Sequence, residues 1–365
     1  MLVFSLQGFK LLKYKMAVRE IFEPLIRLIL VAIVLAAGWK LPAVFLAYLL
    51  TSISALFLAF YFVKKVFPRI TDRQLLPVYE TRKLFAFSWP LLFIFFFGSL
   101  LLWTDTVILA LFRTSTEVGI YGATQRTALL CSIIITAFNS IFAPIAADLS
   151  SRGQRTQLET LFKTVTKWTL LTSSPLCIGF FLFPGEILGI FGVRFTEGRV
   201  SLIILSVAWL LHSAMSSAGL LLTMSGRSRL QLVNASLLLL ANIVLNFLLI
   251  PGLGAKGAAL ATAISIILFD IVSVIEVAMI AKMIPFRMDF FKVLAAGGIM
   301  LSAGMAILKF KWIPLPPLAG ALLVFTVVFF VYLLVIWILG IGKEERLVLK
   351  DLLRRLGKSA PFLSH

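Results

Sequence analysis

The sequence predicts an all-α protein, a polytopic membrane bundle of about ten transmembrane helices. Three observations predict it. The 365 residues are 61% hydrophobic, with a mean hydropathy of +1.05, whereas soluble domains are about 45–50% apolar. Ten stretches approach the roughly 20 apolar residues that a spanning helix needs. The basic residues also alternate: under a ten-span register, 25 Lys and Arg fall in the connections on one side and 7 on the other. Cytoplasmic loops carry the excess of Lys and Arg, so both termini are expected in the cytoplasm and the protein in the cell (cytoplasmic or inner) membrane.

The first two candidate spans cover 17–38 and 41–63. Glu23 and Arg27 in the first are spaced i, i+4 and can pair on their own helix. Spans three and four cover 84–112 and 118–147. Span five, 165–184, follows a basic connection whose sequence SSRGQRTQLETLFKTVTKW reads as an amphipathic lead-in. Spans six to eight cover 200–225, 230–250 and 256–281. Residues Gly252 to Ala263 at the seventh-to-eighth junction are mostly small, as where membrane helices approach closely. Spans nine and ten cover 292–309 and 317–341. Pro90, Pro144 and Pro175 lie within or near span ends and can kink them. The tail from Gly342 alternates charge with Leu and Val and reads as a short interfacial helix.

The formal charge of +18 would suggest nucleic acid in a soluble protein. Here the basic residues sit between apolar spans, so they set topology and touch anionic headgroups, and no nucleic-acid partner is expected. Cys131 and Cys177 fall inside spans and read as neither a disulfide framework nor a zinc site. Two histidines, His212 and His365, cannot build a metal cluster. No secretory signal peptide is visible at the start of the sequence. There is no GxxxxGK[ST], HExxH or GxSxG. Neither a metal, a cofactor nor a catalytic residue is expected, and the chain does not read as an enzyme.

The informative residues are the charges inside spans. Arg126 is the only charge between Glu117 and Asp148, and Asp105 the only one between Lys83 and Arg113. A charge at the centre of a span costs roughly 2.5–3.5 kcal/mol on insertion scales, so it usually meets a partner or a wet cavity. The two lie at similar depth on neighbouring spans, which makes an ion pair available. Alternatively, Arg126 faces a cavity and binds an anionic group with its planar guanidinium, Asp105 orienting it. Tyr121 and Gln125 share a face beside Arg126, and Asn139 lies further along the same span. They could line a sugar or phosphate path, or bind helices together. Asp270, near the midplane of span eight, is a candidate proton or sodium site or a partner for a base. Glu276 lies nearer the cytoplasmic end. Asn234, Asn242 and Asn246 are the polar positions of span seven, the last two on one face.

Four stretches together resemble a known family. They are FSWPLLFIFFFGSLLLWTD from Phe87, VGIYGATQRTALL from Val118, FNSIFAPIAADLSSRGQ from Phe138, and SLLLLANIVLNFLLIPGLGAKGAALATAIS from Ser236. The set is similar to the polysaccharide transporter branch of the multidrug/oligosaccharidyl-lipid/polysaccharide exporter superfamily, the Wzx-like flippases. The resemblance covers about 80–285 well and the flanks by hydropathy. It implies flipping of polyprenyl-diphosphate-linked oligosaccharide from the cytoplasmic to the outer leaflet, for surface polysaccharide synthesis. It implies alternating access between two helix lobes, driven by an ion gradient or the membrane potential and not by ATP. It implies membrane lipids and polysaccharide-assembly proteins as partners, and Arg126 with Asp105 as residues at the diphosphate.

Family members usually have about twelve to fourteen spans, so this chain is expected to be a product that lacks about four N-terminal helices. Residues 1–80 would be the remnant of the first lobe and 81–285 the complete second lobe. Two further spans would occupy 286–341 and a basic cytoplasmic tail 342–365. A drug or cation antiporter of the same superfamily and a non-catalytic partner of a glycan-export complex are the other readings. The short outer loops argue against a membrane-embedded glycosyltransferase or polymerase.

Overall fold

The computed structural model describes residues 14, 16–38, 41–66, 81–286, 288–310 and 317–338. The interfacial tail expected after Gly342 and most of the basic connection before Thr81 lie outside the described residues. All regular structure in the described residues is helical. The described residues of each of the ten candidate spans lie mainly in helix, and eight helices are long and apolar enough to cross a membrane. The chain divides after Leu84 into two compact units.

In the first unit a π-helical segment, Met16–Phe22, leads into α1, Glu23–Ala36. Helix α2 follows at Leu41–Val66. Arg27 donates to Glu23 on its own helix, as the spacing predicts, and lies 4.8 Å from the Tyr48 ring centroid. The guanidinium thus ties α1 to α2 by a cation–π contact.

The second unit begins within α3, Thr81–Phe112. Then come α4, Ser115–Ala128, and α5, Leu130–Ser151, which form one span interrupted at Leu129. Helix α6, Arg155–Leu182, starts about ten residues before the expected span. Its first turns are the amphipathic lead-in: Leu158, Phe162 and Val165 are buried, while Lys163 pairs with Glu159 at 2.6 Å on the outer face. Short helix α7, Pro184–Gly189, and a 3-10 turn, Val193–Gly198, lead into α8, Arg199–Met215. Helix α9, Ser217–Met224, continues α8 after a break at Ser216. Helices α10, Ser228–Leu253, and α11, Ala255–Ile280, form a tight hairpin. Helices α12, Met288–Phe310, and α13, Pro317–Ile338, form another that packs on α6.

The polar residues and prolines fix how these helices meet. Gly257 lets α11 approach α10: a Cβ there would lie 2.5 Å from the Leu249 carbonyl oxygen. Pro175 has no N–H to give the carbonyl of Leu171, one turn earlier. The Tyr332 hydroxyl of α13 donates to that oxygen at 2.8 Å. Cys131 and Cys177 are free thiols that touch at 3.1 Å and pack α5 against α6. One apolar cluster gathers around Leu109, Leu188, Leu202 and Ile250, towards one end of the unit. A second gathers around Phe142, Phe162, Leu221 and Val277, towards the other. Phe95, Leu92 and Trp103 of α3 are exposed, as expected of a surface solvated by lipid.

Candidate functional site

A carboxylate held by three neighbouring helices lies inside the second unit. Asp105 of α3 is fully buried. Its Oδ2 accepts the Tyr121 hydroxyl of α4 at 2.8 Å. Its Oδ1 accepts Nδ2 of Asn246 at 2.7 Å and Nδ2 of Asn242 at 3.2 Å, both from α10. The Thr262 hydroxyl of α11 completes the set as a further donor to Oδ2. Asn246 Nδ2 also reaches Asn242 Oδ1 at 3.0 Å. A carboxylate accepts through two oxygens, and here four neutral donors from three other helices occupy them.

Of the two readings of Arg126, the ion pair with Asp105 does not form among the described residues. Arg126 is exposed and makes no hydrogen bond or ion pair among the described residues. Helix geometry explains this. Arg126 lies five residues beyond Tyr121, and at 3.6 residues per turn a helix that points Tyr121 at Asp105 turns Arg126 well round. Gln125, at i+4, does share the face: its Nε2 donates to the Leu102 carbonyl of α3 at 3.2 Å.

Beside the Asp105 cluster is a cavity of about 290 Å³. Three segments each present an i, i+4, i+7 face to it: Gln125, Leu129 and Ser132 from α4–α5; Leu205, Trp209 and His212 from α8; Ile266 with Thr262 and Phe269 from α11. Gly98 and Leu102 of α3 and Leu238 of α10 also contribute. Thr262 therefore both lines the cavity and holds Asp105. His212 lines it and its Nδ1 lies 2.7 Å from Asp270 Oδ2.

The remaining expected residues lie apart. Glu276 accepts from Asn234 Nδ2 of α10 at 2.5 Å. Asn139 of α5 is half-buried with its Oδ1 unpaired, and neither it nor Arg126 lines the cavity. Among the described residues no three His, Cys, Asp or Glu side chains group to hold a metal. Sequence reasoning missed Thr262 and the pairing of His212. The signals were a hydroxyl within a small-residue run and the single histidine inside a span.

The fold and this interior define a multi-pass helical membrane protein with a buried polar cluster, and the fold is shared with a solved structure. The structure of "Lipid II flippase MurJ, inward closed conformation" matches with a TM-score of 0.51 at 16% identity, covering 92% of this chain and 67% of that one. A family model described as polysaccharide biosynthesis protein matches residues 4–150. That match reaches further towards the N-terminus than the motifs read from the sequence. The probable low-salt glycan biosynthesis flippase Agl15 of Haloferax volcanii is 30% identical over 164 residues, 45% of this chain and 35% of the relative. The probable flippase AglR of the same organism is 28% identical over 217 residues, 57% of this chain and 43% of the relative. These matches span less than half the length of either relative. Over these stretches the chain is similar to polysaccharide biosynthesis proteins and to proteins named as probable flippases.

Proposed function

We propose that this chain serves to flip polyprenyl-diphosphate-linked oligosaccharide from the cytoplasmic to the outer leaflet of the cell membrane, driven by an ion gradient or the membrane potential. The observation that carries the reading is a cavity beside the buried Asp105 cluster whose walls are mostly apolar, with Gln125, Ser132, Thr262 and His212 as its polar positions. Polar surface within a span is costly unless it faces protein or a wet path, and cargo with sugars and phosphates needs such a path. The relatives named as flippases support it. Arg126 supplies an exposed cation on α4, with a guanidinium free to grip a diphosphate in bidentate fashion. Gln125 reaches the cavity on the same helix, and Asn139 offers an unpaired acceptor further along the span. Tyr121 is fully buried with its hydroxyl on Asp105, so its part is to hold Asp105. Asp105 and Asp270, with Glu276 beyond, are the buried or half-buried carboxylates at which ion binding and helix movement can be coupled.

The test is glycan display in a flippase-deficient strain with membrane expression checked. The reading expects the chain to restore display, Arg126→Ala to abolish it and Arg126→Lys to restore part of it. Full rescue by Arg126→Ala removes that residue from the substrate path. Drug resistance restored in place of glycan display identifies an antiporter.

A further inference from the structure

The two carboxylates deepest in the second unit are satisfied in opposite ways. Asp105 has four neutral donors. Asp270 has one described partner, Nδ1 of His212, although it is equally buried. An uncharged imidazole gives a buried carboxylate one hydrogen bond; an imidazolium also gives it a countercharge. Imidazole is the side chain whose ordinary titration spans physiological pH. We propose that His212 and Asp270 form a proton-binding site, loaded from the cavity through His212 Nε2, that couples the transport proposed above to a proton gradient. The proposal rests on that transport reading for its coupling, but not for proton binding.

The geometry suits a site that loads and unloads. His212 is 21% exposed at its side chain and lines the cavity, while Asp270 behind it is 2% exposed. Nδ1 is committed to Asp270, and Nε2 has no described hydrogen-bond partner. A proton arriving from cavity water therefore binds Nε2, while Nδ1 keeps its proton in the hydrogen bond to the Asp270 carboxylate. Trp209, one turn earlier, meets the imidazole edge-on at 5.4 Å and borders the same cavity. On the far side, Ser216 lies one turn beyond His212 and Ser273 one turn beyond Asp270. Both carry buried hydroxyls with no protein partner, so hydroxyl groups capable of relaying a proton continue away from the cavity. Ser216 is also the break between α8 and α9. The pair thus bridges α8 and α11 beside a joint, where gaining or losing an ionic contact can shift one helix segment against another.

The surrounding charges do not duplicate the site. Helix α4 carries Glu117 at its start and the exposed Arg126; α5 carries Asp148, paired with Arg152; α7 carries Glu186. Helix α6 brings Lys163, paired with Glu159, and buried Lys167, which has its own interaction. Helix α9 has no charge, and α10 has only Arg229 near its start. Helix α11 itself adds Lys256 and Glu276, the latter bound by Asn234. Asp289 and Lys292 of α12 pair at 3.0 Å. None of these lines the cavity, where His212 is the single titratable group among the described residues.

The chain has two histidines, His212 and His365. Labelled with isotopic histidine, the full chain in detergent gives two ring signals that His212→Gln and His365→Gln assign. The proposal expects the His212 signal to move between about pH 5 and 8, with a midpoint displaced in Asp270→Asn. A His212 signal that stays constant across that range overturns it. In proteoliposomes loaded with a fluorescent short-chain polyprenyl-diphosphate saccharide, an imposed pH gradient should accelerate flipping by the wild type. That acceleration should be lost in His212→Gln and in Asp270→Asn. Wild-type flipping that ignores the gradient overturns the coupling. If the wild type flips no lipid, the transport reading falls and takes the coupling with it, while the titration still decides whether the pair binds a proton.

Discussion

At the residue scale, Asp105 shows what a lone charge in a span predicts and what it does not. Its isolation among apolar residues marked it for a polar partner, and the i, i+4 asparagines of α10 marked a polar face. The structure joins the two, with both amides on Oδ1. The identity of the partner was not legible, because similar depth on adjacent spans does not fix rotation about the helix axis. That rotation put Tyr121 on Asp105 and left Arg126 outside. Thr262 was hidden in a run that reads as packing, and His212 had no visible carboxylate until α8 met α11. Side-chain hydrogen bonds within membranes average about 0.6 kcal/mol. Tyr121→Phe should therefore lower stability modestly, read as a drop in the thermal unfolding midpoint in detergent. Asp105→Ala strands several donors at once, each costing about 1–3 kcal/mol when buried and unpaired, and should lower the midpoint much more. Equal midpoints for the two variants would mean that the cluster adds little beyond the tyrosine bond.

At the scale of elements, the α10–α11 hairpin is clamped at its turn by the short α3–α4 connection. Arg113 donates to the carbonyl oxygens of Pro251 at 2.7 Å and Ile250 at 3.3 Å, satisfying the end of α10. Glu117 accepts from the N–H of Ala255 at 2.7 Å, at the first turn of α11. Gly254 between them has φ +57° and ψ −134°, and a Cβ there would clash with Glu117 Oε1. Such a backbone costs a side-chain-bearing residue about 1–3 kcal/mol. Gly254→Ala should lower the unfolding midpoint, and adding Glu117→Ala should cost less than the two separate losses combined, because the clash is already relieved. Strict additivity in that cycle would refute the contact. On α6, Tyr332→Phe exposes the dependence of Pro175 on α13 by stranding the Leu171 carbonyl, a loss of about 1–3 kcal/mol. An unchanged midpoint would show that another group takes that carbonyl. The small residues after Pro251 announced a close approach in sequence; the clamp did not show, because Arg113 and Glu117 read only as loop charges.

For the whole molecule, hydropathy carried most of the helical architecture. The described residues of the ten stretches chosen from apolar length lie mainly in helix, and eight helices are long and apolar enough to cross a membrane. The two that fall short show where the pattern weakens. The first is divided between a π-helical segment and the 14-residue α1. The fifth follows Arg155, Glu159 and Lys163 and contains Lys167, all on the first half of α6, which extends well before the apolar stretch. Breaks at Leu129 and Ser216 were not legible either, since no proline or glycine marks them. The cavity beside the Asp105 cluster emerges only when faces from five segments converge. Whether cargo uses that cavity is tested most directly by thiol accessibility. Cys131 and Cys177 are fully buried, leaving little background. A cysteine introduced by Ser132→Cys lines the cavity, whereas one introduced by Ile133→Cys lies on the exposed apolar face. The account predicts that a membrane-impermeant thiol reagent labels the protein carrying Ser132→Cys and not the one carrying Ile133→Cys. It also predicts that a polyprenyl-diphosphate saccharide slows the labelling. Equal labelling of both, or labelling of Ser132→Cys that the lipid-linked saccharide leaves unchanged, would contradict a cargo path through this cavity.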